Sequence, residues 1–192
     1  MDDILTGSDG IGRCWWCGDD PLYVAYHDDE WGRPLRDDRS LYEKLCLEGF
    51  QSGLSWITIL RKREAFRAAF ASFDVDAVAA FDDGDVERLL ADPGIVRHRG
   101  KITAAIGNAR AVQSLRADGG TLTELIWAHA PRPRRRPRSR RTDIPARTPE
   151  SAALADDLRR RGLRFVGPTT AYALMQSAGL VDDHLAGCHR AP

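Results

Sequence analysis

The chain has 192 residues, 43% hydrophobic and 29% charged, with 28 basic and 28 acidic residues and no formal net charge. That length suits one domain with a real core, and the composition excludes a disordered, collagenous or disulfide-dense protein. No apolar run nears the roughly 20 residues that cross a bilayer. The acidic start MDDILTGSDG is no secretory leader, so a cytoplasmic protein with reduced cysteines at 14, 17, 46 and 188 is expected.

Residues 1–11 read as a disordered tail on a single domain that spans 1–192. Beyond them the apolar spacing is helical nearly throughout. DDRSLYEKLCLEGF puts Leu41, Tyr42, Leu45 and Phe50 at helical intervals, with Asp38 or Ser40 placed to cap its start. SWITILRKREAFRAAFASF continues with Trp56, Ile59, Leu60, Phe66 and Phe70 facing inward. DVDAVAAF and DGDVERLL each open on an aspartate able to accept first-turn amides. GKITAAIGNARAVQSL is a longer helix ended by ADGG, and TLTELIWAHA follows. PRPRRRPRSRR (131–141) cannot be helix and is expected to be a mobile basic loop. TPESAALADDLRRRG has Thr148 as cap, Pro149 in the first helical position and Gly162 as stop. VGPTTAYALMQSAG is the last helix. No stretch alternates with period two, so the expected fold is all-α with eight to ten short helices.

The zero net charge hides a polarity. Residues 1–50 carry twelve acids against five bases, and the basic loop holds seven arginines and no acid. The loop either serves a polyanionic partner or is simply solvated.

Cys14 with His27, and His184 with Cys188, form two pairs of zinc-type ligands. On a helix, His184 and Cys188 would share a face. Packed thiols beside histidines would look the same in sequence, and Cys14 with Cys17 is also a ligand spacing. The stretch CWWCGDDPLYVAYHDDEWG crowds Trp15, Trp16, Tyr23, Tyr26 and Trp31 together. Flat rings suit the stacking of a planar base; they also suit a core, but HDDEW would make an awkward dry one. Glu48 falls on the apolar face set by Leu41 and Leu45. There a carboxylate needs a partner or has a raised pKa, whether at a site or in a structural ion pair. GFQSGLSWI follows, where Gly53 permits a tight excursion that presents Leu54 outward.

Four segments, CWWCGDDPLYVAYHDDEWGRP, LCLEGFQSGLSWITIL, GIVRHRGKI and VGPTTAYALMQSAGLVDDHLAGC, together closely resemble bacterial 3-methyladenine DNA glycosylase I, a family of the helix-hairpin-helix DNA glycosylase superfamily. The resemblance covers about residues 12–190, interrupted at the basic loop. It implies an all-α fold in two lobes. The implied activity is hydrolytic release of 3-methyladenine from alkylated duplex DNA, without lyase chemistry, by an enzyme acting as a monomer. It also implies one structural zinc joining the chain ends through Cys14, His27, His184 and Cys188, with Cys17 outside the ligand set. By the same resemblance, Trp16, Tyr23, Tyr26, Trp31, Glu48 and Trp56 form the base pocket. Gln51, Ser52, Gly53 and Leu54 enter DNA, and Val166, Gly167, Thr169 and Thr170 belong to a phosphate-gripping hairpin.

The chain departs from the family at two positions. Asp182 stands where the family usually has asparagine and the wider superfamily its catalytic aspartate; a catalytic role beside Glu48 and a structural one both stay open. Phe50 replaces a usual glutamine, a change expected to alter the loop's DNA contacts. Two other readings remain: a non-catalytic zinc-stabilised DNA-binding module, and a protein-interaction domain.

Overall fold

The computed structural model describes residues 3–191. Among them nine α-helices follow in order: α1 (Pro21–Asp29), α2 (Asp38–Gln51), α3 (Trp56–Ala69), α4 (Val75–Ala79), α5 (Asp83–Ala91), α6 (Arg99–Ala117), α7 (Leu122–Trp127), α8 (Pro149–Arg160) and α9 (Pro168–Ser177). The mostly helical expectation holds. No helix is long and apolar enough to cross a membrane.

The expected disordered tail is a correction, with residues 1 and 2 outside the described residues. Strand β1 (Ile4–Thr6) pairs antiparallel with β2 (Gly12–Cys14), Ile4 opposite Cys14. The turn closes through Gly7 N to the Ile11 carbonyl at 3.0 Å, with Gly10 at φ +77°. Arg13 then ties the hairpin down, donating to Asp9 at 2.8 Å and to Asp28 of α1 at 2.8 Å. The fastening contact with Asp28 is non-local, so polar composition alone reads as disorder.

Helix α1 was not evident from apolar periodicity, because HDDE interrupts it. Its start is nevertheless built locally: Asp20 accepts from Leu22 N at 3.0 Å, and Pro21 occupies the first position. Other caps shift by one residue. Asp37, rather than Asp38 or Ser40, caps α2 by accepting from Ser40 N at 2.8 Å. Asp38 instead accepts from Thr123 N of α7 at 2.9 Å. Asp82, not Asp83, caps α5. A cap is chosen by backbone angle, and adjacent aspartates do not reveal which is extended. Thr148, Pro149 and Gly162 bracket α8 as expected, with Gly162 at φ +88°.

The main core joins α2 to α9. Phe50, Phe66, Phe70 and Phe73 are fully enclosed, and each contributes about 1.5–3 kcal/mol by leaving water. Phe50 packs inward against Phe66, ring centroids 4.6 Å apart. The expectation that it alters DNA contacts is therefore corrected: its side chain is core. Two smaller clusters lie outside this core, one of Tyr26, Trp31 and Leu60, the other of Cys14, Leu185 and Cys188. The second brings the two ends of the chain together.

Candidate functional site

All six residues expected at the pocket converge on one cavity of about 300 Å³. The turn Trp15–Cys17 delivers Trp16, α1 supplies Tyr23 and Tyr26 one turn apart, and Trp31 follows α1. Glu48 comes from the last turn of α2 and Trp56 from the first residue of α3. Trp16 lies 5.1 Å from Tyr23 and 5.0 Å from Trp31, centroid to centroid, while Tyr26 meets Trp56 at 5.4 Å. Trp56 Nε1 is buried without a hydrogen-bond partner. Trp15, Gln51, Ile144, Ala173 and Gln176 complete the lining. Ala173 and Gln176 arrive from α9, and no local sequence signal could have announced them.

Glu48 is 4% exposed and takes one hydrogen bond, from Ser177 Oγ at 3.0 Å. Burial pushes its carboxyl up to about 7, with Lys44 and the Ser177 bond offsetting part of that rise. Lys44 went unnoticed in the sequence. The signal was present: it lies three residues after Leu41 and four before Glu48, so it shares their buried face. Its Nζ reaches the Tyr26 hydroxyl at 3.5 Å.

The segment after α2 projects as expected. Gly53 adopts φ +84°, Leu54 is 40% exposed, and Gln51 Nε2 donates to the Leu54 carbonyl at 2.9 Å. Sequence reasoning missed what holds it. Lys101 of α6 donates from Nζ to the Phe50 carbonyl at 2.9 Å and the Ser52 carbonyl at 2.6 Å. An ammonium at a helix C-terminus also meets the negative end of the helix dipole. The turn between α8 and α9 ends at Val166 and Gly167, and Thr169 and Thr170 open α9 with first-turn amides that have no intrahelical acceptor. Asn108 braces this turn, accepting from Arg164 N at 2.8 Å and donating to the Arg164 carbonyl at 3.2 Å.

At the joined chain ends, ligand atoms of Cys14, His27 and Cys188 lie within 4.8 Å of one another, all buried. Residues 181–188 are irregular, with Leu185 bridged to Arg138, rather than helical, so the shared helical face expected for His184 and Cys188 is corrected. His184 still packs beside the cluster, its ring 5.1 Å from that of His27, and its Nε2 is buried with no partner. Each imidazole is oriented by a carboxylate on its other nitrogen: His27 Nδ1 meets Asp28 at 2.7 Å and His184 Nδ1 meets Asp182 at 2.8 Å. Ligating histidines are commonly held in this way. Two thiols and two imidazoles are the donor types that zinc favours, and three of them, Cys14, His27 and Cys188, meet closely enough to share an ion. Cys17 stays outside it, with Sγ 3.2 Å from the Cys14 carbonyl.

The structure does not bring Asp182 into the base pocket lining. Its Oδ1 also accepts from His184 N at 3.0 Å. The basic loop is irregular, as expected, yet it is anchored. Arg134 and Arg138 donate to the buried Asp183 carboxylate at 2.6 and 2.9 Å, and Ala186 N bonds the Arg138 carbonyl at 2.8 Å. Arg132, Arg135 and Arg136 remain exposed.

The methyladenine glycosylase family profile matches residues 16–191. The chain is 50% identical to DNA-3-methyladenine glycosylase 1 of Escherichia coli K12 over 92% of its own length and 95% of that protein. A crystal structure of 3-methyladenine DNA glycosylase I superposes with a TM-score of 0.91 at 50% identity, covering 94% of this chain and all (100%) of that one. A Staphylococcus aureus 3-methyladenine DNA glycosylase I, solved to explain its 3-methyladenine recognition, matches with a TM-score of 0.86 at 35% identity over 90% of this chain and 93% of that one. By sequence and by fold, the chain belongs to the methyladenine glycosylase family.

Proposed function

We propose that this chain is a DNA glycosylase of base-excision repair that flips 3-methyladenine out of duplex DNA and hydrolyses its N-glycosidic bond, without lyase chemistry. The carrying observation is Glu48, a buried carboxylate with one neutral donor, set among Trp16, Tyr26 and Trp56. The relatives' activities support the same substrate.

A base inside a duplex must leave the stack to enter such a pocket. Leu54, carried outward at the Gly53 turn, fills the vacated place. The amides opening α9 hold a backbone phosphate, aided by the helix dipole, in a helix-hairpin-helix grip made with α8. N3-methylation leaves the purine cationic and its bond to the sugar weak, so little leaving-group activation is needed. Aromatic faces attract the cation. The Glu48 carboxylate accepts from the exocyclic amine and offsets the charge. The base departs neutral with the bonding pair, while water adds to the sugar carbon and gives up a proton.

Cys14, His27, His184 and Cys188 hold one structural zinc in this reading. Four protein ligands leave no open position, so the ion supplies folding energy and takes no part in the chemistry. Asp182 acts by orienting His184, and Asp182→Asn is expected to leave the single-turnover excision rate unchanged. The protein works as a cytoplasmic monomer on double-stranded DNA. The test is release of free 3-methyladenine from methylated duplex. Glu48→Gln should slow it by about tenfold or more, equivalent to about 1.4 kcal/mol of barrier. Unchanged kinetics would remove Glu48 from the reading.

A further inference from the structure

Lys44 is a buried cation with no obvious reason to be buried. It is 7% exposed and lies one helical turn before Glu48 on α2. It does not line the base cavity; it lines a separate one of about 220 Å³, together with Ser177, the residue whose hydroxyl bonds Glu48. Its nitrogen stands 4.8 and 5.4 Å from the ring centroids of Tyr26 and Trp56, so it sits behind two walls of the pocket. A buried ammonium costs several kcal/mol unless something offsets it.

The neighbouring charges leave one candidate. Facing Lys44 are Glu43 and Glu48 from α2, Asp29 and Glu30 at the end of α1, Arg33 beyond it, and Arg63 and Arg67 from α3; Asp29 lies 3.9 Å from Arg33 and is exposed. Glu30 is taken by Arg63 through bonds of 2.5 and 2.9 Å, and Glu43 by Arg67 at 2.8 Å. Among the described residues no carboxylate lies within ion-pair distance of Lys44 itself, whose one hydrogen bond is to the Tyr26 hydroxyl. Among the described residues Glu48 has no arginine partner, and the titratable groups around it are Lys44 and the phenols Tyr23 and Tyr26, beside the Ser177 hydroxyl. Lys44 and Glu48 are thus the two buried charges of α2 left without an ion pair, one turn apart on the same face of that helix.

We propose that Lys44 is a positioning residue of the base site, whose ammonium keeps the Glu48 carboxylate ionised so that the pocket meets a cationic base with a negative charge in place. The proposal rests on the glycosylase reading for its substrate. It has a two-sided consequence. Without Lys44, Glu48 takes up its proton at higher pH, so the pocket loses its anion near neutrality. Once Glu48 does ionise, the anion is unopposed, and a cationic base is held more strongly than in the parent. The pH profiles of parent and variant should therefore meet or cross at the alkaline end.

The experiment is single-turnover release of 3-methyladenine from duplex DNA between about pH 5 and pH 9, for the parent, Lys44→Met, Lys44→Gln and Lys44→Arg. The two neutral variants should move the acidic limb upward by about one pH unit, a roughly tenfold loss below it, and match or exceed the parent at the alkaline end. Lys44→Arg should keep the parental limb. Carbon-13 NMR titration of the Glu48 carboxyl in the free proteins reads the same upward shift without any catalysis. An unmoved limb, an equal loss at every pH, or an unmoved Glu48 resonance would each overturn the proposal. A parent that titrates as expected but releases no base would instead overturn the glycosylase reading.

Discussion

Two buried carboxylates, each bonded by side chains of α9, are treated in opposite ways. Asp183 is fully enclosed and receives four side-chain donors: Tyr172 at 2.6 Å, Gln176 at 2.8 Å, Arg134 at 2.6 Å and Arg138 at 2.9 Å. Burial pushes its carboxyl up, but the four donors outweigh it and hold the group below the usual carboxylate range. Glu48 is buried almost as deeply and receives one donor, so burial wins and it rises to about 7. A saturated carboxylate is a fastening; it has no lone pair left for a ligand. An unsaturated one is held ready for a partner that supplies both hydrogen bond and charge.

The comparison can be broken most forcefully at Asp183. Asp183→Ala strands two arginines and frees the loop and tail together, and should cost about 3–5 kcal/mol in chemical denaturation. A loss under about 1 kcal/mol would contradict its role as a fastening. Glu48 should behave in the reverse sense. Its folded-state carboxyl is raised well above the ordinary carboxylate value, to about 7, so the folded state binds the proton more tightly than the unfolded chain. Stability from this group is present below the unfolded pKa and is lost as pH rises to about 7. Glu48→Gln should therefore be more stable than the parent at alkaline pH, by about 2–3 kcal/mol, with the gap closing in acid. Equal denaturation midpoints at both ends would show that Glu48 is not strained by burial.

Smaller effects sharpen the same contrast at the DNA-facing surface. Lys101→Met removes the clamp on the Phe50 and Ser52 carbonyls. It should lower excision from duplex DNA severalfold while changing the binding of free 3-methyladenine far less, since Lys101 does not itself line the base pocket. Smallest is the effect of the exposed arginines. Replacing Arg135 and Arg136 with serine should reduce the salt slope of duplex binding by about one to two, without the destabilisation expected for Arg138→Ser. A parental salt slope would confine the loop to its structural contacts with Asp183.

Much of the site was legible because its residues break local rules. Glu48 is a charge on an apolar helical face, and the aromatic crowd of residues 15–31 carries too many acids for a plain core. The cysteines and histidines that meet at the joined chain ends were legible as ligand types, and the family resemblance selected among them. Other features were not, for identifiable reasons. The N-terminal hairpin depends on Arg13 reaching Asp28 of α1. Ser177, Gln176 and Asn108 act across more than fifty intervening residues or through tertiary placement that composition does not encode. Cap positions slipped by one wherever two aspartates adjoin. Phe50 was legible both as part of an apolar helical face and as a neighbour of the DNA-entering loop, and its ring follows the helical phase to Phe66.

The central claim is that Glu48 and Asp183 are held in opposite states of satisfaction within one protein. Carbon-13 NMR titration of both carboxyl groups in the parent tests it most directly. The account predicts that Glu48 titrates near 7 and that Asp183 stays ionised well into the acid range. A Glu48 that ionises below its ordinary value, about 4.3, would contradict it.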